Sequence, residues 1–270
     1  MTDLLVRPSA ARESFEANGV VQVRGVLGAD EVAHIRDVFT RHVEADASTM
    51  GWDDGIADGD ILRRYPRYVH PHRQPDTEPG RIATSLMFDP RIFYIVEDLI
   101  GPAYGAQSMF YFKPPSARGQ ALHQDNMFLQ AHPETCLAAW IAIDDCDGEN
   151  GGLMVVPGSH REELLCLGDA DINDSFSSSA IHLPDGVQAV QTEMHAGDVL
   201  FFHGSMVHGS HANTSTDRFR RSLIYHYIPR SSVEVAKFYD PLLTPDGAEH
   251  HIGDSPDGGP CGTTWNMLGH

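Results

Sequence analysis

Two side chains one position apart, His123 and Asp125 in Leu122-His123-Gln124-Asp125-Asn126, are the residues best placed to do chemistry. The run around them reads as a β-strand. Side chains alternate faces along a strand, which turns His123 and Asp125 to the same side. One imidazole and one carboxylate make two thirds of a 2-His-1-carboxylate set, the arrangement that binds Fe(II) and leaves coordination positions open. A third ligand is on offer downstream. There a Gly197-Asp198 turn feeds an apolar strand, and His203, His208 and His211 follow. A closed β structure brings such strands together, but spacing alone does not choose among the three histidines.

A second chemical feature lies at Asp217-Arg218-Phe219-Arg220-Arg221-Ser222. This reads as the start of a strand, with Arg220 and Ser222 on one face and Arg221 on the other. A guanidinium beside a hydroxyl holds a carboxylate well, through a bidentate fork and one further hydrogen bond. Residues 61–82 form the one basic patch, with Arg63, Arg64, Arg67, His70, His72 and Arg73. No regular period fits it. It reads as a loop, either solvated or walling a site for an anionic or carboxylate-bearing substrate. The acidic, glycine-rich stretch 50–60 lacks the aspartate spacing of a calcium loop.

The elements that must position these residues follow from pattern. The chain has 270 residues, 41% apolar, with 25 Gly and 17 Pro dividing it into short elements. A strand is expected at Val20–Val23. A helix follows, with Asp30 and Glu31 in its first turn and Val32, Ile35, Phe39 and Val43 at helical spacing. A second helix opens at Asp89-Pro90 and ends at Gly101-Pro102. From about 104 to 229 the chain becomes short apolar or alternating runs between turn residues, the texture of a barrel or double-sheet jelly roll. The expectation is one domain over 1–270: a helical part to about 103, a β core over about 104–229, and a tail from 230.

Composition narrows the function. A net charge of −19 disfavours nucleic acid and anionic membranes as partners. No run of 18 apolar residues suggests a membrane span. The N-terminus lacks a secretory layout, and Cys136, Cys146, Cys166 and Cys261 show no metal or disulfide spacing. Reduced thiols and a cytoplasmic location are therefore expected. Oligomeric state is not legible.

Taken together, His123-x-Asp125, Glu149-Asn-Gly-Gly-Leu-Met-Val-Val-Pro-Gly-Ser-His160, the Val207-His208-Gly-Ser segment and Arg220-x-Ser222 resemble the phytanoyl-CoA dioxygenase family. The likeness runs in order over about 113–228. It implies a mainly β fold with flanking α: a double-stranded β-helix (jelly-roll, cupin-like) core with N-terminal helices packed on it. It also implies Fe(II), 2-oxoglutarate as cosubstrate and O2, with hydroxylation of an unactivated C–H bond of a small metabolite and release of succinate and CO2. The metal ligands would be His123, Asp125 and His208, while His160 would be structural. Arg220 would hold the far carboxylate of 2-oxoglutarate, with Arg218 as the alternative because the spacing from His208 is slightly long. Ser222, Ser210, Trp140, Gln107 and Lys113 would assist at the cosubstrate. Halogenating relatives lack the carboxylate that Asp125 supplies, which favours hydroxylation over halogenation; desaturation, epoxidation and ring formation stay open, because they depend on where the substrate sits.

The resemblance leaves the substrate open. Phe110, Phe112, Asn126, Phe128, His70 and Arg73 are the expected pocket rim, suited to a small polar or carboxylate-bearing metabolite. The rival reading is a cupin-like metal protein without oxygenase activity: a Zn or Mn isomerase, hydrolase or binding module. The Arg220-x-Ser222 anchor speaks against it, since a simple metal module has no use for one.

Overall fold

A computed structural model of the chain describes residues 11–45, 47, 59–162 and 164–255. Residues 50–58, which make up most of the acidic stretch considered above, and the residues beyond 255, Cys261 among them, lie outside the described residues.

The helices are α1 (Ala11–Asn18), α2 (Ala29–Ala45), α3 (Ile61–Arg64), α4 (Glu78–Met87), α5 (Pro90–Ile100) and α6 (Asn126–Leu129). The first strands are β1 (Val20–Val23), β2 (Tyr68–Val69), β3 (Ala103–Lys113), β4 (Gln120–His123), β5 (Leu137–Ala142) and β6 (Leu153–Val155). Then come β7 (Gly168–Asp169), β8 (Ser179–Ala180), β9 (Val190–Gln191), β10 (Val199–His203), β11 (His208–Ser210) and β12 (Arg220–Pro229). The short strands β13 (Glu234–Val235), β14 (Leu242–Leu243), β15 (Glu249–His250) and β16 (Gly253–Asp254) follow.

The major sheet runs β1-β10-β5-β12-β3-β14-β15, with β2 also paired to β3. The minor sheet runs β4-β11-β6-β9. Together they form the jelly-roll core. The major sheet is buried on both faces. Its outer face packs under the helices: Val32, Ile35, Phe39 and Val43 of α2, Met87 of α4, and Ile92 and Val96 of α5 share one core with Phe110, Phe112, Ile141, Phe201, Leu223 and Tyr225. Its inner face carries Tyr111, Trp140, Leu200, Phe202 and Ile224, which meet Leu153 and Val155 of the minor sheet.

Local chemistry explains the element ends. The Asp89 side chain accepts from the backbone N–H of Arg91, Pro90 opens α5, and Gly101 ends it at φ 75°. The Gly197-Asp198 turn is a knot. Asp198 accepts from the N–H groups of Gly25 and His195 and from the Gln22 amide, tying β1 to β10.

Three expectations change. The 61–82 stretch is structured: it supplies α3, β2, a 3-10 turn at Pro71–Arg73, and α4, capped by the Thr77 hydroxyl. The strand expected through Asp125 stops at His123, and Asp125 lies in right-handed helical backbone at the head of α6. Cys136 and Cys146 are free and buried, but Cys166 is in a disulfide, against the expectation of four reduced thiols.

Candidate functional site

Strand pairing brings the ligand candidates together. His208 on β11 lies directly opposite His123 on β4, and their ring centroids are 4.2 Å apart. Asp125 joins them because the chain turns into α6. Its Oδ1 stands 3.5 Å from His123 Nε2 and 3.4 Å from His208 Nε2. Potential ligand atoms of the three buried residues lie within 4.8 Å of one another, the only such group found among the described residues.

The hydrogen bonds around this group prepare it for a cation. His123 Nδ1 donates to the Ala121 carbonyl at 2.8 Å, and His208 Nδ1 donates to the Met206 carbonyl at 2.9 Å. Each bond fixes the tautomer that leaves an Nε2 lone pair facing the centre. Burial opposes charge on Asp125, but His208, His226 and His123 outweigh it and hold the carboxyl well below the usual range. Two imidazole lone pairs and one ionised carboxylate form a donor set that suits Fe(II). His203 packs at Phe15 and His160 instead, His211 is exposed, and the His160 ring covers Gly19.

A cavity of about 290 Å³ extends from this group. Arg220, which is only 2% exposed, also lines it. Arg220 Nε donates to the Gly151 carbonyl at 3.1 Å, and Nη1 donates to Ser222 Oγ at 3.2 Å. The guanidinium also lies over the rings of Tyr111 and Trp140. No carboxylate pairs with it among the described residues. A buried charge without an ionic partner is expensive, and a guanidinium so placed can receive an anion. Arg218 is at the surface, paired with Asp147 and Glu149. Arg221 points to the opposite face and pairs with Asp144.

The motif Asn150-Gly151-Gly152 now has a physical account. Asn150 donates to the carbonyls of Asp145 and Phe219 and accepts from the N–H of Asp147. This holds the 145–152 turn against β12. Gly151, at φ 72°, then presents its carbonyl to both Arg220 and Lys113.

The other expected site residues fall into three groups. Gln107, Trp140 and Ser210 line the cavity, and Phe128, half exposed, stands at its mouth. Ser222 and Lys113 are buried beside it. The Lys113 ammonium is committed to Gly151 O, Ser210 Oγ and His211 O, and burial, with Arg220 nearby, drives its pKa well below the ordinary value. It therefore orients Ser210 and the turn.

The remaining five do not line the cavity. Phe110 and Phe112 sit in the helix-facing core, because on β3 it is Gln107, Met109 and Tyr111 that point inward. Asn126 closes the α6 turn through two bonds to the backbone of Ala131. Arg73 donates to the carbonyls of Phe238 and Tyr239, and His70 packs on the Phe238 ring at 4.8 Å. These last two residues buttress a cavity-lining turn, and Phe238 and Tyr239 supply the wall.

His226 is an unforeseen member of the site. It lines the cavity, and its Nε2 lies 2.9 Å from Asp125 Oδ2. Its place on the inward face of β12, two residues after Ile224 and four after Ser222, was the available signal.

The sequence model for phytanoyl-CoA dioxygenase (PhyH) matches residues 15–222. The chain belongs to the phytanoyl-CoA dioxygenase family. Phytanoyl-CoA dioxygenase 1 of Oryza sativa subsp. japonica is 34% identical over 132 residues, which is 48% of this chain and 47% of that protein. The peroxisomal phytanoyl-CoA dioxygenase of Rattus norvegicus is 27% identical over 230 residues, 80% of this chain and 67% of that one. The matches span about half the length of the rice and Arabidopsis thaliana relatives. Among solved structures, the epimerase SnoN of nogalamycin biosynthesis, in complex with Fe3+, alpha ketoglutarate and nogalamycin RO, superposes with a TM-score of 0.64 at 27% identity. That alignment covers 91% of this chain and 93% of SnoN. The alpha ketoglutarate dependent carbocyclase SnoK superposes with a TM-score of 0.63 at 26% identity, covering 81% and 83%. Members of one fold thus serve different reaction outcomes, and the chemistry at the target carbon must be argued for each chain.

Proposed function

We propose that this member of the phytanoyl-CoA dioxygenase family is an Fe(II)- and 2-oxoglutarate-dependent oxygenase that hydroxylates a C–H bond of a small molecule. The observation that carries the reading is the pairing, in one cavity, of the His123–Asp125–His208 group with a buried guanidinium, Arg220, that has no carboxylate partner among the described residues. A cation site and an anion site lining one small cavity suit a dicarboxylate bound between them.

When bound, Fe(II) with 2-oxoglutarate supplies the oxidising power of O2, and R–H, 2-oxoglutarate and O2 become R–OH, succinate and CO2. The chain's own residues bind, orient and exclude water. His123 and His208 offer Nε2 lone pairs fixed by carbonyls at Nδ1. Asp125 offers Oδ1 while His226 holds Oδ2. Arg220 receives the far carboxylate, with its plane set by Gly151 O and Ser222 Oγ and its faces covered by Tyr111 and Trp140. Ser210, fixed by Lys113, faces the same volume. The apolar walls at Phe202, Leu153 and Ile224 keep water from the centre. Hydroxylation is favoured over halogenation because Asp125 keeps a carboxylate in the ligand set.

The test is to titrate 2-oxoglutarate into the anaerobic Fe(II) protein and record the visible charge-transfer band. A band in the wild type, absent in His208→Ala and needing far more 2-oxoglutarate in Arg220→Ala, is the expected result. Tight Zn binding with no band would sink the reading and leave the cupin-like alternative.

A further inference from the structure

A second cavity, of about 640 Å³, adjoins the first. The two share Arg67, Gln120, His123 and Phe128. The larger one therefore opens directly onto the His123 side of the ligand group. The inner cavity, at about 290 Å³, has its cation and anion sites committed on the oxygenase reading. A primary substrate must then lie in the outer chamber and reach inward past Gln120 and Phe128. The outer volume falls within the range of about 300–1,000 Å³ that holds a drug-sized molecule, and is generous for an amino acid.

The walls define the occupant. Phe128 and Phe176 offer ring faces, and Met127, Leu167 and Ile172 continue the apolar lining. Phe128 and Ile172 are 50% and 65% exposed and put apolar side chains at the chamber's rim. Three consecutive serines, Ser177, Ser178 and Ser179, also line it, the Ser177 hydroxyl already bonded to Ser175 and to the Ala121 N–H. The basic groups of the chamber are engaged. Arg118 pairs with Asp60 at 2.8 Å and donates to the carbonyls of Ile172 and Ser175. The Arg67 guanidinium lies 5.1 Å from the centroid of the Phe176 ring. Arg118 is thereby neutralised by Asp60, and Arg67 is stacked on a ring, a lining that favours a neutral ring over a polyphosphate. The sequence-based expectation of a carboxylate-bearing metabolite weakens for the same reason.

Gln120 adds a device. Its Nε2 donates to His123 Nε2 at 3.1 Å. A cation at the ligand group takes that lone pair, which releases the Gln120 amide toward whatever occupies the chamber.

We propose that the outer chamber is the primary substrate site, that it takes an uncharged, hydroxyl-bearing ring molecule of drug-like size, and that Gln120 becomes its hydrogen-bond donor once metal is bound. This rests on the oxygenase reading for its chemistry but not for its binding. Aromatic walls hold the ring faces, the serine strip takes the hydroxyls, and the edge nearest His123 is presented for oxidation.

The experiment uses the full chain, anaerobic, with Fe(II) and 2-oxoglutarate. Two neutral ring probes, estradiol and methylumbelliferyl glucoside, are compared with L-proline and butyryl-CoA. Binding is measured by calorimetry and by perturbation of the charge-transfer band. At least one ring probe is expected to bind and shift the band, while L-proline and butyryl-CoA do neither. Phe176→Ala and a plug, Ser178→Trp, should each weaken that binding tenfold or more. The band recorded without probe reports that each variant is folded. Gln120→Leu should weaken probe binding about fivefold in the loaded protein and leave it unchanged without metal. Binding of L-proline or butyryl-CoA in preference to both ring probes would overturn the proposal, as would ring-probe binding indifferent to Ser178→Trp and Phe176→Ala. Absence of the band even in the wild type would sink the oxygenase reading alone; the calorimetric comparison of the plugged and unplugged chamber would still decide this one.

Discussion

His226 holds the carboxylate of Asp125 from behind, with Nε2 2.9 Å from Oδ2. The carboxylate can only accept, so Nε2 carries a proton and donates it, while the buried Nδ1 has no partner. The bond leaves Oδ1 turned toward His123 and His208. Bonds to the far side of a ligand typically change metal affinity by about 10–100-fold. His226→Phe is therefore expected to weaken Fe(II) binding about tenfold or more in a chelator competition, with His226→Gln recovering part of it. An Fe(II) affinity unchanged in a folded His226→Phe variant would remove His226 from this role.

Arg220 and Arg218 separate cleanly. A buried, charge-assisted hydrogen bond contributes about 1.5–3 kcal/mol, roughly a ten- to hundredfold change in binding. An exposed ion pair such as Arg218 with Asp147 contributes about 0–1 kcal/mol. Arg220→Met should raise the 2-oxoglutarate midpoint of the charge-transfer band by that larger factor, while Arg218→Ala should barely move it. The reverse pattern would assign the anchor to the surface residue.

Gly151 is constrained twice. Its φ of 72° is left-handed, and an added Cβ would lie 2.7 Å from His211 O and 2.8 Å from Lys113 Cδ. Left-handed backbone costs a non-glycine residue about 1–3 kcal/mol. Gly151→Ala is expected to lower unfolding stability by about that much in urea. It should also raise the 2-oxoglutarate midpoint, because the same carbonyl orients Arg220. A stability loss with no change in the midpoint would confine Gly151 to a folding role.

Acid should destabilise the fold through the 68–73 segment. His72 is buried, with Nδ1 2.6 Å from Ser108 Oγ, and it faces the His70 ring and Arg73. Burial first, and Arg73 second, push its pKa from 6.5 down to about 3. The folded value lies below the unfolded one, so the unfolded chain binds the proton first. The stability is fully present above pH 6.5 and is lost as pH falls toward 3, by about 1.4 kcal/mol per pH unit for this one group. His72→Asn, which keeps a partner for Ser108, should flatten the loss between pH 7 and pH 5 in urea melts. Identical slopes in the two proteins would show that His72 does not titrate on unfolding.

The sequence by itself determined the chemistry on offer. His123, Asp125, three candidate histidines and an arginine-serine pair were legible because ligand types and strand alternation are local properties. The apolar periods of α2 and α5 and the caps at Asp89 and Gly101 were legible for the same reason. Tertiary structure decided the rest. Cross-strand pairing of β11 with β4 set His208, and neither His203 nor His211, opposite His123, since register is a relation between strands far apart in the chain. The turn into α6, not strand alternation, brought Asp125 to the same point. The phase of β3 against the helices sent Phe110 and Phe112 into the core and Tyr111 into the cavity, although a fully apolar run carries no mark of which face is which. Packing turned Arg73 and His70 from expected substrate contacts into supports for Phe238 and Tyr239. His226 acquired its role only when β12 crossed behind Asp125, because a hydrogen bond between residues 101 positions apart leaves no trace in spacing.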